Sequence, residues 1–168
     1  MTYFLGLTGG IASGKSTADE FFEKQNIPII DSDLIAHQIM EVGQKGYQAI
    51  VNYFGSNILN DDQTINRHKL GGIVFNDKTK LKKLNEITHP LVHQEIKQQM
   101  ERYRLNQEKL VVVDVPLLFE SGFESLCDGV LVISISPKLQ VKRLMKRNNF
   151  TKEEALVRIN NQMPLSEK

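Results

Sequence analysis

The chain has 168 residues, of which 40% are hydrophobic and 24% charged, and its formal net charge is +1. This composition is typical of one globular domain with room for a small subdomain. The near-zero charge argues against nucleic acid or a membrane surface as a partner. Its single cysteine, Cys127, excludes an internal disulfide. We found neither a signal peptide nor a membrane span, and we expect a cytoplasmic protein with no obligate protein partner.

Alternating strands and helices predict an α/β domain. The first helix is expected over Lys15–Gln25, with Ala18, Phe21 and Phe22 facing inward. Nearly continuous apolar runs are typical of strands buried on both faces of a parallel sheet. The predicted strands are Tyr3–Thr8, Pro28–Asp31, Leu110–Val115 and Gly129–Ile135.

A long helical excursion separates the second predicted strand from the third. Its expected helices are Asp33–Met40, Gln44–Phe54, His68–Phe75, Lys78–Ile87 and Pro90–Leu105. We expect Thr88 or His89 to cap the last of these, with Pro90 in its first turn. After the fourth strand, Ser136-Pro137 begins a helix to about Arg147, and a Thr151–Glu154 capping box begins another.

The strongest motif is a phosphate-binding loop, Gly9-Gly-Ile-Ala-Ser-Gly-Lys-Ser16, which matches G-x-x-x-x-G-K-[ST] at every position. Gly9 and Gly14 lack Cβ, so backbone N–H groups can curl around phosphates at a helix N-terminus. Lys15 is expected to neutralise phosphate oxygens and Ser16 to bind Mg²⁺. The predicted ATP-binding residues are Gly9, Gly10, Ile11, Ala12, Ser13, Gly14, Lys15, Ser16 and Thr17.

Aspartates stand at the carboxyl ends of two predicted strands, where parallel sheets bind their ligands. We expect Asp31 to hold Mg²⁺ and Asp33 to act as the general base, although either could instead cap the following helix. Asp114, at the end of the third strand, could support Mg²⁺ or hold a neighbouring loop. Which carboxylate is the base stays open at this point.

A basic segment follows the fourth strand. It holds seven basic residues against two glutamates: Lys138, Lys142, Arg143, Lys146, Arg147, Lys152 and Arg158. Arg143 and Arg147 share a helix face, and Gln140 lies one turn earlier on it. The two arginines could close over a transferring phosphate and stabilise its charge. The alternative is an ordinary solvated basic helix.

With these motifs assembled, the whole chain resembles the dephospho-coenzyme A kinases. Asp31-Ser32-Asp33 replaces the Asp-Ala-Asp usual in that family and keeps both carboxylates. Family members continue with another strand and helix, so we expect such elements to complete the sheet. The matching segments are 7–16, 31–37, 65–67, 88–90, 115–120, 140–147 and 155–164.

The resemblance implies a phosphate-loop kinase-like parallel sheet flanked by helices, with an inserted helical substrate-binding region and a helical lid. On this interpretation, residues 1–32 and 106–136 form the nucleotide-binding core. Residues 33–105 form the coenzyme-A-substrate-binding insertion, and residues 137–164 form the lid.

The resemblance also implies a reaction, the transfer of a phosphate from ATP to the ribose 3′-hydroxyl of dephospho-coenzyme A, with Mg²⁺. The implied catalytic residues are Asp33, Lys15, Arg143 and Arg147, and the metal ligands are Ser16 and Asp31. The implied substrate contacts are Thr8, Asp33, Arg67, His89, Leu117 and Phe119.

Two other functions fit parts of this pattern. Another small-molecule or nucleoside monophosphate kinase would share the loop, the aspartates and the lid, and would differ in its acceptor. A non-catalytic guanine-nucleotide switch would need an Asn-Lys-x-Asp element for the base, which the sequence lacks.

Overall fold

A four-stranded parallel sheet organises the fold in a computed structural model that describes all 168 residues. The strands lie in the order β2-β3-β1-β4. Their side chains form a fully buried centre that includes Phe4, Leu7 and Val111–Val113. The strands are β1 (Tyr3–Gly9), β2 (Ile29–Asp31), β3 (Leu110–Asp114) and β4 (Gly129–Ile133). The predicted parallel α/β sheet is confirmed.

α-Helices connect β1 to β2 and β2 to β3, and two more follow β4. They are α1 (Lys15–Lys24), α2 (Ser32–Gln38), α3 (Lys45–Phe54), α4 (Arg67–Val74), α5 (Lys78–Leu105), α6 (Pro137–Asn148) and α7 (Lys152–Asn160). The Thr151 capping box is present, because its hydroxyl accepts from Glu154 N–H while the Glu154 carboxylate accepts from Thr151 N–H. None of these helices has a stretch long and apolar enough to cross a membrane.

The chain divides into two compact units. Residues 1–31 and 100–168 form the sheet unit, in which Leu7, Phe22 and Val112 build one core cluster. Residues 32–99 form the helical unit, whose own core comprises Ile50, Ile58, Leu70 and Val74. Each unit therefore has its own apolar centre.

The inward face of α1 differs from the prediction. Phe22 is 8% exposed, whereas Phe21 is 58% exposed. The two rings are neighbours along a helix with 3.6 residues per turn, so they point about 100° apart. Only one of them can face the sheet fully, and the other packs edge-on against it.

The predicted break before Pro90 is wrong, because α5 runs continuously from Lys78 to Leu105 with Pro90 inside it. Thr88 caps nothing, since its hydroxyl donates to the Leu84 carbonyl one turn earlier at 3.0 Å. Val92 and Ile96 after the proline are buried, and Ile87 before it packs on the core of the helical unit. Burial on both sides of Pro90 outweighs its unfavourable helix propensity.

Replacing Pro90 by Ala should therefore stabilise the protein. Pro90 is exposed, and alanine restores a helical N–H without removing buried surface. A proline inside a helix costs about 3 kcal/mol, and its stiffening of the unfolded chain returns about 1 kcal/mol, so we expect a net gain of about 2 kcal/mol. Urea unfolding followed by circular dichroism measures this change, and a loss of stability would contradict the interpretation.

Candidate active site

The loop between β1 and α1 has a curled backbone. Gly14 adopts a φ of 103° and Ala12 a φ of 59°, both in the left-handed region. Ser13 N–H donates to the Gly10 carbonyl at 3.0 Å, and Thr17 N–H donates to the Gly14 carbonyl at 3.0 Å. None of the loop's backbone hydrogen bonds uses the N–H groups of Gly14, Lys15 or Ser16. These N–H groups stand at the positive end of α1, where an anion binds favourably.

Lys15 connects this loop to the end of the sheet. Its ammonium forms an ion pair with Asp114, the last residue of β3, and a second with Asp19 one turn along α1 at 3.3 Å. Asp114 is only 5% exposed. The lysine is thus held between two carboxylates at the carboxyl edge of the sheet.

The pKa of Asp114 is raised to about 6, first because burial disfavours its charged form. The Lys15 ammonium counteracts this effect, whereas the charges of Asp19 and Asp31 add to it. For Lys15, burial lowers the pKa, but Asp114 and Asp19 outweigh burial, so its pKa is raised overall. Lys15 therefore keeps its charge at neutral pH.

The carboxylates around Lys15 fit a Mg²⁺ ion. Asp31 and Asp114 are register partners at the ends of β2 and β3. The Oδ1 atoms of Asp19 and Asp114 are buried and accept no hydrogen bond within the protein. Ser16 is exposed in the first turn of α1. Mg²⁺ prefers few protein carboxylates together with phosphate oxygens and water.

The two predicted lid arginines differ in their contacts. Arg143 Nη1 donates to the Ser13 carbonyl at 3.3 Å, so its guanidinium lies at the phosphate loop. The Nε of Arg147 donates instead to the neighbouring Asn148 Oδ1 at 2.8 Å, and both residues are exposed. The structure therefore brings Arg143, but not Arg147, to the loop.

Sequence reasoning missed two glutamines at the loop. Gln140 on α6 is 5% exposed and donates from Nε2 to the Ile11 carbonyl at 2.9 Å. Gln162, after α7, accepts from Ile11 N–H at 2.8 Å. A glutamine near arginines on a basic helix is ordinarily expected to face solvent. The available signals were the position of Gln140 a turn before Arg143 and the matching segments 140–147 and 155–164, which contain the two glutamines.

Thr8 has a structural partner, since its buried hydroxyl donates to the Pro116 carbonyl at 3.0 Å. Of the predicted contacts in the segment after β3, Leu117 is exposed and Phe119 is half-buried. Leu118 between them is completely buried. Substrate contact by Thr8, Leu117 and Phe119 stays a prediction.

The remaining predicted substrate residues belong to the helical unit. Asp33 lies exposed in the first turn of α2, and Arg67 lies exposed at the start of α4. His89 lies exposed in the middle of α5, where it borders an open cavity with Leu81 and Pro90. Their roles stay predictions.

Asp114→Asn should change the pH dependence of stability in a defined direction. The folded protein holds the Asp114 proton up to about pH 6, whereas the unfolded chain releases it near 3.8. This group's contribution to stability is therefore present at low pH and is lost as pH rises through about 6. The measurement is the free energy of unfolding of the wild type minus that of the variant, determined between pH 4 and 7. This difference should fall as the pH rises. A difference that rises with pH would contradict the assignment.

A scan of protein families matches residues 3–168 to the family described as dephospho-CoA kinase. A dephospho-CoA kinase of Lactobacillus johnsonii is 84% identical over 168 residues, which are 100% of this chain and 85% of that protein. One of Bacillus cereus strain ZK is 50% identical, again over 100% of this chain and 84% of that protein.

Two solved structures share the fold. A crystal structure of a Thermus thermophilus protein superposes with a TM-score of 0.81 at 29% identity, covering 99% of this chain and 83% of the other. A dephospho-CoA kinase from Campylobacter jejuni gives a TM-score of 0.73 at 35% identity, with coverage of 99% and 83%. The chain belongs to the dephospho-CoA kinase family.

Proposed function

We propose that the protein transfers the terminal phosphate of ATP to the ribose 3′-hydroxyl of dephospho-coenzyme A and releases coenzyme A and ADP. The observation that carries the proposal is a phosphate loop whose lysine is held by Asp114, in a chain that matches the dephospho-CoA kinase family from residue 3 to residue 168. The names of relatives at 84% and 50% identity support the acceptor.

The phosphate loop binds and orients the nucleotide in this proposal. The N–H groups of Gly14, Lys15 and Ser16 face the phosphates, and the Lys15 ammonium neutralises their charge. Asp114 and Asp19 hold that ammonium in place. Ser16 and Asp31 would hold Mg²⁺, which would supply charge neutralisation on the phosphate oxygens when bound.

Asp33 is the proposed general base, which takes the proton of the acceptor hydroxyl. Arg143 stabilises charge on the transferring phosphate, and its hydrogen bond to the loop supports this role. Arg147 is the second arginine of the proposal. Acceptor contacts are assigned to Arg67 and His89 of the helical unit, with Thr8, Leu117 and Phe119 of the sheet unit.

The domain assignment is likewise a proposal. Residues 1–32 and 106–136 form the nucleotide-binding core, and residues 33–105 bind the acceptor. The division of the chain at 31/32 and 99/100 supports this arrangement. Residues 137–164 act as the lid, and they cluster with the sheet unit.

Mass-resolved turnover tests the reaction itself. With ATP and Mg²⁺, we expect ADP release and a product of coenzyme A mass only when dephospho-coenzyme A is the acceptor. AMP and shikimate serve as competing acceptors, and a reaction without acceptor gives the background. Turnover with AMP or shikimate, but not with dephospho-coenzyme A, would show that the acceptor assignment is wrong. ATP binding without turnover of any acceptor would show that the protein binds the nucleotide without transferring its phosphate.

Lys15→Ala should lower kcat/KM for ATP about 100-fold or more, because it removes a preorganised charge from the phosphates. The variant also leaves Asp114 buried without its cation, so thermal unfolding must show that it remains folded. Isothermal titration with ATP and initial-rate kinetics measure both effects. Activity close to wild type would contradict the loop assignment.

The Asp33→Asn variant distinguishes a general base from a ligand of the nucleotide or its metal. Loss of a general base lowers kcat about 100- to 10,000-fold while ATP affinity stays close to wild type. Asp61→Asn, an exposed aspartate in a loop of the helical unit, is the matched control with unchanged kinetics. An equal loss of ATP affinity in Asp33→Asn would assign this carboxylate to the nucleotide or its metal.

A further inference from the structure

One residue of the phosphate loop, Ile11, has both of its backbone polar groups hydrogen-bonded by glutamine side chains. The Ile11 carbonyl accepts from Gln140 Nε2 at 2.9 Å, and Ile11 N–H donates to Gln162 Oε1 at 2.8 Å. A backbone N–H can only donate and a carbonyl can only accept. The N–H and the carbonyl of Ile11 therefore dictate the orientation of the two side-chain amides.

The two glutamines come from separate parts of the proposed lid. Gln140 lies in the first turn of α6, one turn before Arg143, whose guanidinium donates to the Ser13 carbonyl. Gln162 follows the end of α7. The loop is thus bonded at Ile11 and Ser13 by α6 and again at Ile11 by the chain after α7.

The segment that carries Gln162 is itself fixed to the sheet unit. Met163 N–H donates to Glu120 Oε1 at 3.1 Å, and the Lys168 ammonium pairs with the same carboxylate at 2.8 Å. Burial acts to raise the pKa of Glu120, but the hydrogen bonds and the Lys168 charge together outweigh burial, so its pKa is lowered overall. Gln162 is therefore held in place by its neighbours as well as by Ile11.

Gly10 permits the close approach of these elements. A Cβ atom at Gly10 would lie 2.6 Å from Gln140 Nε2 and 3.2 Å from Cγ of Leu165. Gly10 has no positive φ that would call for glycine. Gln140 and Leu165 instead occupy the space that a side chain at residue 10 would fill.

We propose that Gln140 and Gln162 are positioning residues of the phosphate loop. They clamp the backbone of Ile11 through the two successive peptide groups that flank it, and thereby make the loop's conformation depend on α6 and on the segment after α7. Neither glutamine acts on the nucleotide directly. The kinetic part rests on the proposed function, because it concerns the loop as an ATP site. The structural part can be measured without any ligand.

The clamp predicts opposite responses to glutamate at the two positions. Gln162 accepts, so Gln162→Glu keeps an oxygen for Ile11 N–H, whereas Gln162→Ala does not. Gln140 donates, so Gln140→Glu turns a carboxylate toward a carbonyl and should be worse than Gln140→Ala. Amide hydrogen exchange of Ile11 by NMR in the ligand-free protein should quicken about tenfold or more in Gln162→Ala, and only slightly in Gln162→Glu.

Enzyme kinetics provides a second test of the clamp. Gln140→Ala and Gln162→Ala should each lower kcat/KM for ATP about three- to tenfold, the usual effect of one neutral hydrogen bond. The KM for dephospho-coenzyme A should change less than about twofold. Both act on the backbone of one residue, Ile11, so the double variant should lose less than the product of the single effects. Exposed Asn160→Ala, at the end of α7, is the matched control.

These results test the clamp independently of which reaction the enzyme catalyses. Unchanged Ile11 exchange in Gln162→Ala, or equal damage by alanine and glutamate at both positions, would overturn it whatever the enzyme's substrate. Strictly multiplicative kinetic losses would also overturn it. If Gln140→Glu does not fold, Gly10→Ala serves as a second variant, because its Cβ displaces the Gln140 amide. The loss of kcat/KM caused by Gly10→Ala should be smaller in a protein that already carries Gln140→Ala. Failure of wild-type turnover would remove the proposed function but leave the exchange test intact.

Discussion

The ion pair between Lys15 and Asp114 connects the chemistry of this protein to its fold. Asp114 is almost fully buried at the end of a central strand, where an unpaired carboxylate would be costly. Lys15 stands at the first turn of the helix that follows the phosphate loop. The buried charge therefore requires the lysine nearby, and the lysine in turn fixes the start of α1 against the edge of the sheet.

That arrangement concentrates negative charge around one cation. Asp31 neighbours Asp114 in the sheet register, Asp19 pairs with Lys15, and one oxygen each of Asp19 and Asp114 has no hydrogen-bond partner in the protein. Two carboxylates pair with the Lys15 ammonium and a third, Asp31, neighbours Asp114 in the sheet, so this edge carries more negative than positive charge and favours a second cation. The raised pKa of Asp114 reflects the same crowding together with burial. The phosphate loop and this acidic edge of the sheet therefore meet at Lys15.

Sequence reasoning succeeded where a local pattern has one physical solution. Continuous apolar runs predicted the strands, and the glycines and lysine of the loop predicted its position between β1 and α1. It failed where packing decided between alternatives. Pro90 carries an ordinary break signal, yet burial on both sides keeps α5 continuous. Gln140 and Gln162 have no motif of their own, because their role depends on which backbone groups the fold places opposite them.

The hydrogen bonds of the loop divide it into two parts with different partners. In the first part, Ile11 and Ser13 are bonded by α6, by Gln162 and by Gly10. In the second part, the N–H groups of Gly14, Lys15 and Ser16 take no share in the loop's backbone hydrogen bonds. An anion bound there need not break any of the loop's backbone hydrogen bonds, because none of those bonds uses these three N–H groups. Order in the first part therefore prepares the second for binding, which lowers the entropy cost of ordering a flexible loop around phosphate.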